Sequence, residues 1–230
     1  MSDAVQQTLL ILGATGDLTA RLLLPGLGGL LADGGGQDLL LVGCGREGWG
    51  DDRWRNRAAD AFASVDARGR QVDAVVKGAR YLEADVTVEH DLRRLLDARQ
   101  GRLVMFFALP PAVAVQACRV LAGIWLPDGT RLVMEKPFGT DAASAAALND
   151  LLARLVPEDQ VYRVDHYLGM ATVLNIVGLR FANRMLESVL NADHVESVDI
   201  LFDESLALEG RAGYYDGAGA LVDMIQSHSL

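Results

Sequence analysis

The sequence is poor in cysteine. Its 230 residues hold only Cys44 and Cys118. Two thiols cannot make a disulfide framework, so a reduced, intracellular setting is expected. Positive charge is also short: 21 Lys and Arg face 31 Asp and Glu, a net charge of −10. That balance argues against non-specific nucleic-acid binding, although a local group of cations could still hold an anionic ligand. No apolar run approaches the ~18 residues of a membrane span. The N-terminus shows no charged leader followed by an apolar segment. A cytoplasmic protein with neither nucleic acid nor membrane as partner is expected. No cluster reads as a metal site, and there is no internal repeat.

Half of the residues are hydrophobic, enough for a sizeable core. They fall in short continuous runs separated by helical patterns. Thr8 to Leu12, Leu39 to Gly43, Arg80 to Glu83, Leu103 to Ala108, "RLVMEKPFG" with its exit loop, and Gln160 to Val164 read as strands. Between them, helices are predicted from Asp17, over about residues 50 to 66, after "DVTVEHDLRRLL" begins, from Pro110-Pro111, and after Asp141 as a cap. Pro25 should kink or end the first of these. Apolar strands alternating with helices indicate an α/β fold, a Rossmann-type doubly wound parallel sheet covered on both faces. The texture changes after residue 166. A helix is predicted from Ala171 to Arg184, and "VESVDILF" alternates as a half-solvated antiparallel strand would. The expected organisation is a nucleotide-binding domain over 1–165 and the opening of an α+β domain over 166–230. The latter is read as incomplete, because the helical pattern at Leu230 has no cap.

Four places carry chemistry. In "LLILGATGDL", Gly13 and Gly16 lie between a strand and a helix, where glycine lets backbone approach a pyrophosphate at the helix N-terminus. Thr19 stands where a third glycine is usual, and an ordinary tight turn would share the spacing. The second strand exits through "GREGW", and Arg46 there would suit a 2′-phosphate, favouring NADP over NAD. Lys136 of "MEKPFG" sits at the carboxyl end of a predicted parallel strand, where such sheets bind ligands; a plain surface lysine is the alternative. Near the end, Leu221, Met224, Ile225 and His228 share one helical face, so His228 is either a packed core histidine or a general base. Asp223 lies about 140° around that helix from His228, which leaves Asp165 as the candidate partner.

Together these stretches resemble the glucose-6-phosphate dehydrogenase family. "GATGDL", "ALPP", "EKPFG", "RVDHYLG", "GRAGYYD" and "DMIQSH" occur in order. They correspond to about the first half of a typical member. The resemblance implies NADP as cofactor and glucose 6-phosphate or a related sugar phosphate as substrate. It also implies a homodimer or homotetramer whose dimerisation sheet belongs to the α+β substrate domain. His228 would be the base that takes the C1 hydroxyl proton, and Asp165 would orient it. Gly13, Ala14, Thr15, Gly16, Asp17 and Leu18 would cradle the pyrophosphate. Arg46 would pair with the 2′-phosphate, and Asp85 and Val86 would line the adenosine side. Lys136 would lie between sugar and nicotinamide. His166 and Tyr167 would contact the substrate phosphate, and Glu204 and Asp223 the sugar hydroxyls.

The chain departs from the family in one telling place. Members read "DHYLGKE"; here the stretch is "DHYLGMA", with Met170 in place of a lysine that reaches the substrate and Ala171 in place of an acid. Ser227 replaces the usual Asn beside the base. These changes leave two alternatives open: a related NADP-dependent aldose dehydrogenase with altered substrate, or a non-catalytic NADP-binding subunit.

Overall fold

The computed structural model describes residues 6–36, 38–139 and 141–201, and of His166 and Tyr167 only the backbone. The described chain divides into two units, with the break between Val164 and Asp165.

The first unit is built on six parallel strands: β1 (Gln7–Leu12), β2 (Leu39–Gly45), β3 (Arg80–Glu83), β4 (Arg102–Phe107), β5 (Arg131–Glu135) and β6 (Val161–Val164). Their order across the sheet is β3-β2-β1-β4-β5-β6. This is the doubly wound arrangement, in which the winding reverses between β1 and β4 and opens a crevice at the carboxyl ends of those strands. Side chains alternate along each strand, so both faces must be covered. Leu10 and Leu12 pack on one side with Leu103, Met105 and Phe107 of β4 and with α4 (Glu89–Asp97), α5 (Pro111–Leu121) and α6 (Ala142–Leu155). Ile11 and Leu41 point the other way, into Trp54 and Phe62 of α2 (Asp51–Ala63), Val72 and Val75 of α3 (Arg70–Gly78) and Leu24 and Leu31 of α1 (Leu24–Ala32). The apolar runs of the sequence are continuous because neither face of the sheet meets water.

Local chemistry explains several boundaries. Pro25 neither breaks nor ends the first helix. A π-helical turn, Thr19–Leu23, precedes α1, and the Leu24 N–H reaches back five residues to the Thr19 carbonyl. The wider turn accommodates a ring that would otherwise crowd the preceding carbonyl. Asp141 caps α6 as expected: its side chain accepts from the Ser144 N–H at 2.7 Å, and the Ser144 hydroxyl accepts from the Asp141 N–H at 3.1 Å. β2 runs two residues beyond its predicted end, because β3 pairs with Val42 through Gly45 and holds Cys44 and Gly45 extended. α3 was not expected at all. It follows Gly69, whose φ of +123° lies outside the usual range for other residues.

In the second unit, Asp165 leads into a 3-10 turn, His166–Gly169, followed by α7 (Ala171–Phe181) and the short α8 (Arg184–Glu187). The single helix expected to Arg184 is interrupted, because the Asn183 side chain accepts from the Met185 N–H and starts α8 afresh. The antiparallel strand expected in "VESVDILF" is not formed over residues 195–201. Among the described residues no strand pairs with it, and an alternating segment without a hydrogen-bonded neighbour has no ladder to hold it. The remainder, 202–230, lies outside the described residues.

Candidate active site

The turn after β1 is fixed by its own hydrogen bonds. Gly13 and Ala14 both donate to the Cys44 carbonyl at the end of β2, at 3.0 and 2.8 Å. Gly16 donates back to the Gly13 carbonyl at 3.1 Å, and the buried Thr19 hydroxyl donates to the same oxygen at 3.1 Å. Thr19 therefore does the work that a third glycine would otherwise do by absence: it ties the helix to the loop from within. Gly13 has φ +89°, and a Cβ there would collide with the Ala108 carbonyl after β4. No other residue fits at this point of close approach. The turn thus sits at the winding reversal, and the helix that starts at Asp17 directs its first N–H groups to the carboxyl end of the sheet.

The predicted cofactor residues fall unevenly around this point. Ala14 is fully buried and contributes backbone only. Thr15 and Leu18 are half-buried, Gly16 and Asp17 exposed, and Asp17 pairs with Arg21 at 3.2 Å. Arg46 is exposed just past β2, and among the described residues it makes no hydrogen bond or ion pair. Asp85 follows β3. It accepts from the Thr87 hydroxyl at 2.6 Å and the Thr87 N–H at 2.9 Å, bonds that hold its carboxyl below the usual carboxylate range. The side chain of Val86 is in the core, packed with Leu92 and Leu95, so only its backbone can face a ligand.

The sequence reading passed over Glu47. Its carboxylate accepts from the Thr15 hydroxyl of the glycine turn at 2.8 Å, and that bond is the main reason its pKa is lowered. Its main-chain carbonyl accepts from the Tyr81 hydroxyl at 2.9 Å, and burial keeps that phenol protonated. Trp49 lies 5.8 Å from the Tyr81 ring, with the guanidinium of Arg53 4.3 Å from the Trp49 centroid and that of Arg57 at 5.1 Å. Arg57 also donates to the Gly16 carbonyl at 3.1 Å. The signal was present in "GREGW", one residue after Arg46. Cys44 and Cys118 are buried, which pushes both thiols up to about 12, and they are inert at neutral pH.

At the other end of the crevice, Lys136 is half-buried directly after β5, and its N–H extends the β5–β6 ladder by donating to the Val164 carbonyl at 3.3 Å. The Lys136–Pro137 peptide is cis. In the second unit, the Asp165 carbonyl accepts from the Leu168 N–H at 3.1 Å. Met170 occupies the N-cap position of α7 without a side-chain capping bond and is 42% exposed. Glu204, Asp223, Ser227 and His228 lie outside the described residues, as do the side chains of His166 and Tyr167. Among the described residues, no group of three or more His, Cys, Asp or Glu could hold a metal ion, and no helix is long and apolar enough to cross a membrane.

Comparison with known proteins gives this arrangement its context. A family model for the NAD binding domain of glucose-6-phosphate dehydrogenase matches residues 10–175, and one for the C-terminal domain of the same family matches residues 177–230. Glucose-6-phosphate 1-dehydrogenase of Rhizobium meliloti is 37% identical over 96% of this chain, which covers 47% of that relative. The Gluconobacter oxydans protein of the same name is 40% identical over 96% of this chain and 47% of its own length. The crystal structure of glucose-6-phosphate 1-dehydrogenase from Mycobacterium avium superposes with a TM-score of 0.80 at 29% identity, over 97% of this chain and 50% of that one. A glucose-6-phosphate dehydrogenase described as being in complex with its substrate glucose-6-phosphate gives 0.78 at 27% identity, over 100% of this chain and 51% of the other. The chain thus spans about half the length of the curated relatives it matches. With both family models matched in tandem on one sequence, this protein belongs to the glucose-6-phosphate dehydrogenase family.

Proposed function

We propose that this chain provides the nucleotide-binding unit, and the first part of the substrate unit, of an NADP-dependent glucose-6-phosphate 1-dehydrogenase. The reaction moves a hydride from C1 of the sugar phosphate to NADP+ and yields 6-phosphogluconolactone, as in the oxidative pentose phosphate pathway. The observation that carries this reading is the tandem family match over residues 10–175 and 177–230. The residues present fit a dinucleotide: Gly13 admits backbone approach at the winding reversal, and Arg46 is uncommitted at the exit of β2.

In this reading the nicotinamide cofactor, when bound, accepts the hydride. The rest falls to the chain. The loop from Gly13 to Leu18 receives the pyrophosphate, and Asp85 and the Val86 backbone border the adenosine. Lys136 stands between sugar and nicotinamide. His228 takes the proton from the C1 hydroxyl, and Asp165 holds the imidazole in position and favours its cationic form. His166 and Tyr167 hold the sugar phosphate, with Glu204 and Asp223 on its hydroxyls. The test is reduction of NADP+ by glucose 6-phosphate, followed at about 340 nm. His228→Asn should abolish most turnover while cofactor affinity stays unchanged. Turnover that survives this change removes the base assignment, and a wild-type protein that binds NADP+ without any turnover is instead a non-catalytic subunit.

Met170 favours a second reading, in which a related aldose is the true substrate. A missing ammonium-phosphate hydrogen bond weakens binding by roughly 1.5–3 kcal/mol, about one to two decades. Met170→Lys is expected to lower the apparent KM for glucose 6-phosphate by about that factor with kcat little changed. An unchanged KM, together with faster turnover of an unphosphorylated aldose in a substrate panel, would establish the second reading.

A further inference from the structure

The exit of β2 holds two opposite charges in consecutive positions, and the structure separates their surroundings. Arg46 is exposed and makes no hydrogen bond or ion pair among the described residues. Glu47 is anchored, its carboxylate receiving the Thr15 hydroxyl of the glycine turn at 2.8 Å and its backbone the Tyr81 hydroxyl at 2.9 Å. The anchoring is tight around the strand end: a Cβ built on Gly45 would come 2.9 Å from the Glu47 Oε2 and 2.7 Å from the Tyr81 oxygen. A second acid leans toward the same exit from β3, since a Cβ on Gly48 would lie 3.4 Å from the Glu83 Oε2. Asp85 follows on the same strand exit.

In sheets of this winding, the exit of the second strand meets the ribose of the adenosine half. A carboxylate there accepts from both ribose hydroxyls and repels a 2′-phosphate; a guanidinium there does the opposite. The fixed group here is the carboxylate, and the free group is the guanidinium. We propose that Glu47 is a specificity-determining residue that receives the ribose 2′-hydroxyl, so that this protein binds NAD+ as well as NADP+, with Arg46 supplying the affinity for the phosphorylated form. This rests on the dinucleotide reading of the preceding subsection and deepens it. The lowered pKa of Glu47 supports it, because the group is ionised throughout the neutral range. The bond from Thr15 leaves room for the role, since an ionised carboxylate has about four acceptor positions.

The test is calorimetric titration of the protein with NAD+ and NADP+, with no substrate present. Glu47→Gln is the informative variant. The amide oxygen still accepts from Thr15, so a purely structural tether survives while the charge is lost. The ratio of affinities is expected to move toward NADP+ by about threefold or more, with tighter NADP+ and weaker NAD+. Arg46→Ala should weaken NADP+ by at least about tenfold and leave NAD+ within about twofold. Circular dichroism confirms that both variants fold, and Glu47→Asp, which keeps the charge but shortens its reach, serves if Glu47→Gln does not. A ratio that moves by less than about threefold overturns the proposal, as does a wild-type protein with no measurable NAD+ binding beside firm NADP+ binding. If the folded protein binds neither nucleotide, the dinucleotide reading fails and takes this proposal with it.

Discussion

The two units treat apolar side chains in opposite ways. In the sheet unit, Leu10, Leu12, Leu41, Trp54, Leu92, Met105 and Leu132 are all at or near zero exposure. In the second unit, no residue of α7 or α8 is buried, and Leu174, Ile176, Leu179 and Phe181 are all more than half exposed. Both regions are rich in apolar residues, so hydrophobicity alone does not separate them. What separates them is periodicity matched to a neighbour. The strands of the first unit present alternate side chains to helices on two faces. Helix α7 is apolar around much of its circumference, and within the described residues nothing buries it. Isolated helices of this length are marginal in water, and their stability comes from packing. The sheet unit holds the ligand-positioning turns on a rigid frame, and α7 carries Met170 on an element whose packing the frame does not supply.

Mutations can sharpen this contrast. The largest effect is expected inside the frame: Trp54→Ala should lower the unfolding free energy by about 3–5 kcal/mol in a denaturant titration, because the indole fills the space between α2 and the sheet at Gly43. A small value would mean that this layer is as loosely held as α7. Gly13→Ala comes next. The added methyl meets the Ala108 carbonyl in a backbone conformation that only glycine tolerates, and the loss is expected to approach that of Trp54→Ala. Nucleotide affinity by calorimetry should fall with it.

Acid should act more gently, and at the ligand-facing turns. Asp85 has a lowered pKa in the folded protein, mainly through the Thr87 hydroxyl. Its contribution to stability is therefore fully present above the unfolded carboxylate pKa and is lost as pH falls through the lowered folded value. Melting temperatures measured from neutral to acid pH should decline less steeply for Asp85→Asn than for wild type, with the difference confined to the acid limb. Smallest of all, Leu174→Ala in α7 should change stability by no more than about 0.5 kcal/mol, the usual range for an exposed position. A loss of several kcal/mol there would break the comparison and show that α7 is packed after all.

Sequence patterns reveal the sheet unit well because its rules are local. A run such as "LLILG" must be a strand buried on both sides, proline suits a first helical turn at Pro111, and Asp141 with Ser144 three residues on forms a capping box. Where partners lie far apart in sequence, legibility ends. The last two residues of β2 are extended only because β3 pairs with them. α3 begins at a glycine without a side-chain cap, and its two buried valines are too few to stand out. "VESVDILF" alternates convincingly, yet alternation does not name the strand it needs. The site shows the same limit. Arg46 was legible by its position after a strand, whereas the role of Glu47 depends on Thr15, 32 residues away in sequence.

The π-helical turn before α1 has a consequence for anyone who shortens this chain. It stores one residue more than regular winding needs. Each residue of an α-helix turns the chain by about 100°. Deleting a single position between Thr19 and Leu23 would tighten the winding but rotate everything downstream, swinging Leu24, Gly28 and Leu31 off the sheet and bringing exposed Leu22 or Leu30 toward it. In this segment, alignment gaps and loop-trimming designs should move in whole turns rather than single residues.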